Sequence, residues 1–234
     1  MVLSVLPSLG VAIGRAPPLR VLFVGNSYLY VNDLPAQVRR MAAAEGVVLE
    51  TVLVAQPDFA LSDHLRNPGF LAQLDRRWDW IVLQQGPSSL PESRDELIAG
   101  TRTIAARLRG RPVRIALLSG WPAKQYLASS IQGEASYRLA ATGIGACVMP
   151  VATAWRLARE NGKSPSLHAQ DGLHATRTGT RLAAMVVLRG LLGGAAASAR
   201  ASPVDSGSKP KRGVPLEQIV MRAFEQEPAG CRRA

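Results

Sequence analysis

The stretch Leu22-Phe23-Val24-Gly25-Asn26-Ser27 decides the fold, because an apolar run stops abruptly at a small residue, an amide and a hydroxyl. Residues 21–24 are bulky or β-branched and are bounded by prolines and a glycine, which is typical of a buried strand. Residues 32–44 then predict a helix that is capped by Asn32 or Asp33. Ser27 is therefore expected on the loop at the carboxyl end of a strand, where open α/β sheets bind ligands. Taken alone, this fragment favours an Asn-Ser turn that merely precedes a helix, without a catalytic role.

The rest of the chain alternates between strand-like and helix-like segments. Further strands are predicted at 47–55, 78–83, 113–118 and 147–151, and further helices at 94–108, 126–142, 152–160 and 178–192. Such alternation indicates an α/β fold in which a central parallel five-stranded sheet has helices on both faces.

Composition indicates one domain followed by a tail. The 234 residues are 47% hydrophobic, enough for one core, and no segment is long enough and apolar enough to span a bilayer. The first residues are apolar, but they lack a basic n-region and a convincing cleavage site. Residues 1–18 are therefore expected to be a flexible lead-in or, at most, a weak export signal. Residues 19–193 form the predicted domain. Residues 194–234 are expected to be a mostly disordered basic tail, with a helix-compatible stretch at 216–227.

Charge and cysteine usage narrow the partners and the compartment. The formal net charge is +11, yet the arginines are mostly isolated and no nucleic-acid module is recognisable, so no specific nucleic-acid partner is expected. Cys147 and Cys231 lie far apart and form neither a disulfide framework nor a zinc motif, so the fold is not expected to depend on an oxidising compartment. The cytoplasm is favoured over export, which remains open if the true start lies upstream. The sequence leaves the oligomeric state undetermined.

Three histidines restrict the choice of a catalytic base. A serine nucleophile needs an imidazole to take its proton and a carboxylate to fix the tautomer, and Asp171 with His174 in one loop can supply both to Ser27. His168, Asp171 and His174 also match the ligands of a facial-triad iron site. That alternative leaves the serine without a role and needs one loop to align all three ligands. His64 is expected to be a surface or partly packed residue.

An oxyanion needs preorganised hydrogen-bond donors. The candidates are the N–H of Ser27, an N–H in the Asp58-Phe59 turn and the side-chain amide of Gln84 or Gln85. Strand alternation lets only one of the two glutamines point into the site.

Three blocks in this order resemble the SGNH (GDSL-type) hydrolase superfamily: Gly25-Asn26-Ser27, the amide-bearing turn at Gln84-Gln85, and Asp171-Gly172-Leu173-His174. More narrowly, Gly-Asn-Ser, Asn-Asp-Leu-Pro, Trp-Asp-Trp-Ile-Val-Leu-Gln and Asp-Gly-Leu-His with Gly179 resemble a largely uncharacterised bacterial branch. The resemblance spans residues 20–192.

The resemblance implies a flavodoxin-like three-layer α/β/α sandwich and hydrolysis of esters, often acetyl esters of carbohydrates, without a metal or an organic cofactor. It implies Ser27 as the nucleophile, His174 as the base and Asp171 as the orienting carboxylate. Asn26, Asp58, Gln84 and Gln85 would then bind the oxyanion or the substrate.

Two departures concern the oxyanion hole. The family's glycine after the second strand has no counterpart in Gln56-Pro57-Asp58-Phe59, and Pro57 has no N–H to donate. The family's Gly-x-Asn is replaced by Gln84-Gln85-Gly86-Pro87-Ser88. The sequence therefore predicts a serine esterase, with a catalytically impaired carbohydrate-binding domain and a metal site as the alternatives.

Overall fold

The computed structural model describes residues 17–161, 166–193 and 214–231. Most of the expected lead-in, residues 1–16, lies outside the described residues, and so does the part of the expected tail at 194–213. Within the described ranges, no helix is both long and apolar enough to cross a membrane.

Five parallel strands form one sheet, which confirms the predicted α/β class. The strands are β1 (Leu19–Gly25), β2 (Leu49–Ala55), β3 (Trp80–Leu83), β4 (Arg114–Leu118) and β5 (Cys147–Met149), in the order β2-β1-β3-β4-β5. The chain continues from β1 to β2 on one side, while β3 pairs with β1 on the other. The carboxyl ends of β1 and β3 therefore flank the switch point of the sheet, where ligands of open α/β folds bind.

Helices connect the strands. They are α1 (Ser27–Tyr30), α2 (Leu34–Ala44), α3 (Leu61–His64), α4 (Pro68–Leu74), α5 (Pro91–Arg107), α6 (Ser130–Thr142), α7 (Val151–Glu160), α8 (Arg177–Leu192) and α9 (Leu216–Gln226), with a 3-10 helix at Lys124–Ser129. The short α1 was not expected, since the sequence predicted a loop there. Asp33 caps α2 by accepting the Ala36 N–H (3.1 Å), which decides between the two predicted caps.

Two apolar cores, one on each face of the sheet, give the three-layer sandwich. Side chains alternate along a strand, so Val21 and Phe23 enter one core while Leu22 and Val24 enter the other. The first core contains residues of α1, α2, α7, α8 and α9, and the second contains residues of α3, α4, α5 and α6.

The segment 214–231 packs onto the domain. Helix α9 buries Ile219 and Phe224 in the first core. Glu227 is 1% exposed and accepts two hydrogen bonds from the Arg138 guanidinium, at 2.8 and 2.9 Å. The predicted helix at 216–227 is therefore present, and the packed residues extend well past the expected boundary at 193.

A disulfide bond joins Cys147 on β5 to Cys231, 84 residues along the chain, with 4.8 Å between their Cα atoms. Backbone hydrogen bonds support it, from Val148 N to Ala229 O (2.8 Å) and from Cys231 N to Val148 O (3.0 Å). This bond corrects the expectation that these two cysteines form no disulfide framework. Sequence spacing could not reveal the pair, because the tertiary fold alone brings the two Cα atoms within bonding range.

Candidate active site

Asn26 fixes the turn that carries Ser27 through three hydrogen bonds. Its N–H donates to Gln84 Oε1 (3.1 Å), its Oδ1 accepts the Tyr28 N–H (3.2 Å) as the cap of α1, and its Nδ2 donates to Phe59 O (3.2 Å). The partners lie after β3, in α1 and after β2, so three segments hold one turn. Ser27 is the first residue of α1 and is 8% exposed.

A side chain at position 25 would displace its neighbours. A Cβ atom there would lie 2.3 Å from Gln84 Oε1 and 2.8 Å from Leu29 Cδ1. Both contacts are shorter than real Cβ contacts, so a larger residue would push the amide of Gln84 away from the serine turn. The glycine of the Gly-Asn-Ser block is thus explained by a close approach of β3 to β1.

His64 is a residue whose role the sequence did not reveal. The expectation of a surface or partly packed side chain is wrong, since His64 is 0% exposed. Its Nε2 lies 2.8 Å from Gly25 O, and its ring meets Phe59 and Phe70 edge-on at 5.1 and 5.5 Å between centroids. Burial lowers its pKa, and a carbonyl oxygen can only accept, so neutral His64 donates from Nε2 to the residue two before Ser27.

The loop after residue 166 brings Asp171 and His174 together. Asp171 Oδ2 lies 2.6 Å from His174 Nδ1, and Asp171 Oδ1 accepts the N–H groups of Leu173 (2.9 Å) and His174 (3.0 Å). Gly172 allows this tight turn with a φ of +68°. The side chain of His174 is 25% exposed.

The hydrogen bond from the His174 side chain, together with the two backbone N–H bonds, lowers the pKa of Asp171 to about 2. Asp171 is therefore ionised at neutral pH and can only accept hydrogen bonds. It follows that His174 Nδ1 carries the proton of the neutral imidazole, which leaves Nε2 as an acceptor. This is the tautomer that a general base needs.

Two independent contacts join the segment of Ser27 to the segment of His174. Asn32 Nδ2 donates to Ala175 O (2.7 Å) and to Thr180 Oγ1 (3.0 Å). The second contact runs through Trp121, whose ring stacks on Tyr28 at 4.4 Å and whose Nε1 donates to Leu173 O (3.0 Å). Asn32 and Trp121 thus each link residues near Ser27 to residues near His174. Neither was expected from the sequence to have this role.

His168 makes its contacts outside the Asp171–His174 pair. Its Nε2 lies 3.0 Å from Pro122 O, its ring meets Trp155 edge-on at 4.9 Å, and burial lowers its pKa. In the described ranges, no three histidine, cysteine, aspartate or glutamate side chains are grouped to hold a metal ion. The three ligands of the alternative iron site are therefore not brought together.

A cleft of about 600 Å³ opens beside Ser27. Asn26, Ser27, Asp58, Gln85 and Leu173 line it, among others. His174, which was also expected at the site, is not among the lining residues but directly follows Leu173, which is. The cleft thus occupies the carboxyl edge of the sheet at the switch point.

The two glutamines use their amides to hold backbone. Gln84 accepts from Asn26 N and donates to Gln85 O. Gln85 accepts from Leu61 N (3.1 Å) and donates to Ser88 Oγ (3.0 Å) and Ser93 O (3.3 Å). Their side chains point in different directions, as strand alternation predicts.

Two backbone N–H groups that belong to residues of the cleft are available as hydrogen-bond donors. Within the described part of the chain, neither the Ser27 N–H nor the Asp58 N–H has a hydrogen-bond partner. Asp58 adopts a left-handed backbone with a φ of +58°. This is a conformation that glycine adopts readily and that aspartate tolerates better than most residues.

A scan against protein-family models and a search of curated proteins both found no match. Among solved structures, a candidate SGNH hydrolase from Slackia heliotrinireducens is similar, with a TM-score of 0.62 and 23% identity over 74% of this chain and 98% of that one. A DUF4886 family protein from Bacteroides uniformis has a TM-score of 0.62 and 18% identity, over 88% and 93% of the two chains. A lipase/acylhydrolase from Enterococcus faecalis has a TM-score of 0.60 and 15% identity, over 73% and 94%.

The chain has an SGNH hydrolase-like fold. The resemblance read from the three sequence blocks is thereby confirmed at the level of the fold. At these identities the roles of individual residues do not transfer with the SGNH-like fold, so the triad stays a prediction.

Proposed function

We propose that this protein is a serine esterase, with Ser27 as the nucleophile, His174 as the general base and Asp171 as the carboxylate that orients the imidazole. One observation carries the proposal: the 2.6 Å contact between Asp171 Oδ2 and His174 Nδ1, which leaves Nε2 free to accept a proton. The description of the similar Enterococcus faecalis protein as a lipase/acylhydrolase supports the same chemistry.

The reaction follows from the roles of these groups. Ser27 Oγ attacks the ester carbonyl carbon while its proton passes to His174 Nε2. The tetrahedral intermediate collapses, the alcohol leaves with that proton, and the acyl group remains on Ser27. Water, deprotonated by His174, then releases the acid and restores the serine. No metal or organic cofactor takes part in this scheme.

The unpartnered N–H groups of Ser27 and Asp58 are the proposed oxyanion donors. The left-handed backbone of Asp58 supports this role, because it is a conformation that glycine adopts readily and the family has a glycine after this strand. Asn26 Nδ2 has a second hydrogen besides the one that it donates to Phe59 O. Gln84 acts on the hole indirectly by holding Asn26. Acetyl esters of carbohydrates are the substrate class that the resemblance implies.

Hydrolysis of 4-nitrophenyl acetate by the wild type, Ser27→Ala and Ser136→Ala tests the proposal. Ser136 is a matched control because it lies on α6 and, among the described residues, its hydroxyl bonds only Gln132 O of its own helix. We expect Ser27→Ala to lose about 10³-fold or more of the rate and Ser136→Ala to keep it. A fluorophosphonate should label Ser27, as mapped by peptide mass. Equal rates for the wild type and Ser27→Ala, with no label, would support the impaired carbohydrate-binding alternative instead.

The metal alternative makes a separate prediction. It requires that chelation and His168→Ala both abolish turnover, whereas the serine mechanism predicts that a chelator has no effect. Measuring the rate of the wild type with and without chelator distinguishes the two.

A further inference from the structure

The cleft beside Ser27 is larger than an acetyl group requires. Its volume is about 600 Å³, which lies within the range of about 300–1,000 Å³ for sites that hold drug-sized ligands. An acetyl group has only two carbons. The cleft therefore has room for a much larger part of the substrate beside the acetyl group.

Two exposed, large apolar side chains line this cleft. Leu90 is 65% exposed and directly precedes α5, and Tyr126 is 62% exposed on the 3-10 helix. Phe59, Pro87 and Leu173 add further apolar surface. Exposed apolar surface grouped in a concave site is typical of ligand contact, whereas isolated exposed residues need no explanation.

The segment of Tyr126 is tied to the loop of the proposed base. Lys124 N donates to Gly172 O (2.7 Å), inside the turn between Asp171 and His174. Ser129 Oγ donates to Tyr126 O (2.9 Å) and holds the other side of the segment. The backbone of the Tyr126 segment is thus tied to the loop that carries Asp171 and His174.

The charged side chains of the cleft are acidic. Asp58 and Glu96 line it, and among the described residues no lysine, arginine or histidine does. Glu96 Oε1 accepts a hydrogen bond from Ser62 Oγ (2.6 Å), which keeps the carboxylate at the cleft. Two carboxylates repel an anionic ligand most strongly at low ionic strength.

We propose that the cleft selects neutral esters whose larger group presents an apolar face of several carbons, which Tyr126 and Leu90 contact, and that it discriminates against anionic esters. This deepens and rests on the proposed esterase function. Tyr126 and Leu90 are assigned to specificity, with no part in bond making or breaking.

Two ester series, followed by acid release in a pH-stat, test the apolar contact. One series lengthens the acyl group from methyl acetate to methyl hexanoate, and the other lengthens the alcohol from methyl acetate to hexyl acetate. We expect kcat/KM to rise about tenfold or more in at least one series, and that series identifies the group in the cleft.

Variants locate the contact. Tyr126→Ser and Leu90→Ser should remove most of the rise by increasing KM for the long ester, whereas Tyr126→Phe should retain it. Leu139→Ser is the matched control, because Leu139 is 56% exposed on α6 and does not line the cleft. A rise that is unchanged in Tyr126→Ser and Leu90→Ser would overturn the assignment.

A carboxylate-terminated partner tests the charge. At low salt, monomethyl adipate should have a kcat/KM about tenfold below that of methyl hexanoate, and Asp58→Asn with Glu96→Gln should narrow the ratio. If the alcohol series shows the rise, 6-acetoxyhexanoate and hexyl acetate form the pair. If esters are hydrolysed, but kcat/KM rises in neither series and charged and neutral esters react at equal rates, the inference alone is overturned. No Ser27-dependent turnover of any ester would overturn the proposed function itself.

Discussion

The two ends of the parallel sheet differ in charge. At the carboxyl end the cleft has Asp58 and Glu96 among its lining residues and no basic one among those described. At the amino end of β1, β3 and β4, a second cavity of about 570 Å³ is lined by Arg20, Arg76, Arg77 and Arg111. The net charge of +11 therefore says little about the substrate, because four of the described arginines line the cavity at the amino end and none of the described ones lines the cleft beside Ser27.

The largest difference between the two ends should appear in the rate of catalysis. Asp171→Asn should lower kcat/KM for a neutral ester by about 10³–10⁴-fold, because an amide no longer fixes the Nδ1–H tautomer of His174. Arg77→Gln at the amino end should leave the rate unchanged. Steady-state kinetics, with thermal melts to verify folding, measures both. An effect of Arg77→Gln as large as that of Asp171→Asn would refute the assignment of the two ends.

The second prediction concerns stability away from both ends. Cys231→Ser should lower the free energy of unfolding by about 2–5 kcal/mol, since the bond closes a long loop and anchors residues 214–231 to β5. Denaturant titration, with and without a reductant, measures it. The wild type in reductant should match Cys231→Ser, and a reductant that leaves the wild type unchanged would count against the disulfide.

The third prediction concerns the pH dependence of stability. Histidine is the side chain that ordinarily titrates near neutral pH, and all three histidines lie near the carboxyl end of the sheet. Burial lowers the pKa of His64 from its ordinary value of 6.5, so below that value the unfolded chain binds a proton that the folded chain does not. Stability should be full above about pH 6.5 and fall as the pH drops through it. Asp171, with a pKa near 2, loses its own contribution only below about pH 4.

His64→Gln tests this assignment, since a glutamine amide retains a donor but does not titrate. The free energy of unfolding, measured by urea titration from pH 5 to 7, should depend less steeply on pH in the variant. His168, whose pKa burial also lowers, should account for the remaining slope. An identical slope in the wild type and His64→Gln would show that His64 is not the titrating group.

The smallest expected effect comes from reversing a charge at the amino end. Arg77→Glu should change kcat/KM for monomethyl adipate by less than about twofold at physiological salt. The seven residues of β1 separate the two ends by about 20 Å, which exceeds the Debye length of about 8 Å. A larger change would mean that the arginines act on the cleft after all.

The strands and helices could be predicted from the sequence because apolar runs, helical periodicity and capping residues each depend on a few neighbouring residues. The five strands were expected from short apolar runs, and α2, α5, α6, α7 and α8 from their periodicity and caps. The placement of Ser27 at a carboxyl end followed from the apolar run that stops at Gly25. Asp171 and His174 could be paired because they lie three residues apart in one loop.

The support of the site could not be predicted in the same way. His64 gave no signal, because its partner Gly25 O is a backbone group 39 residues away. Asn32 looked like a helix cap and instead donates to Ala175 O, 143 residues along the chain. Short polar side chains have many local partners, and only packing selects the distant one.

The positions of the five strands, the Gly-Asn-Ser turn and the Asp171–His174 pair followed from the amino-acid sequence, because periodicity, turn preferences and short loops act over a few residues. Only packing brings the segments of Ser27 and His174 together through Trp121 and Asn32, leaves the Asp58 N–H without a partner among the described residues, and joins Cys147 to Cys231. These contacts join segments that are distant in sequence. They arise only when the two cores have packed against the sheet.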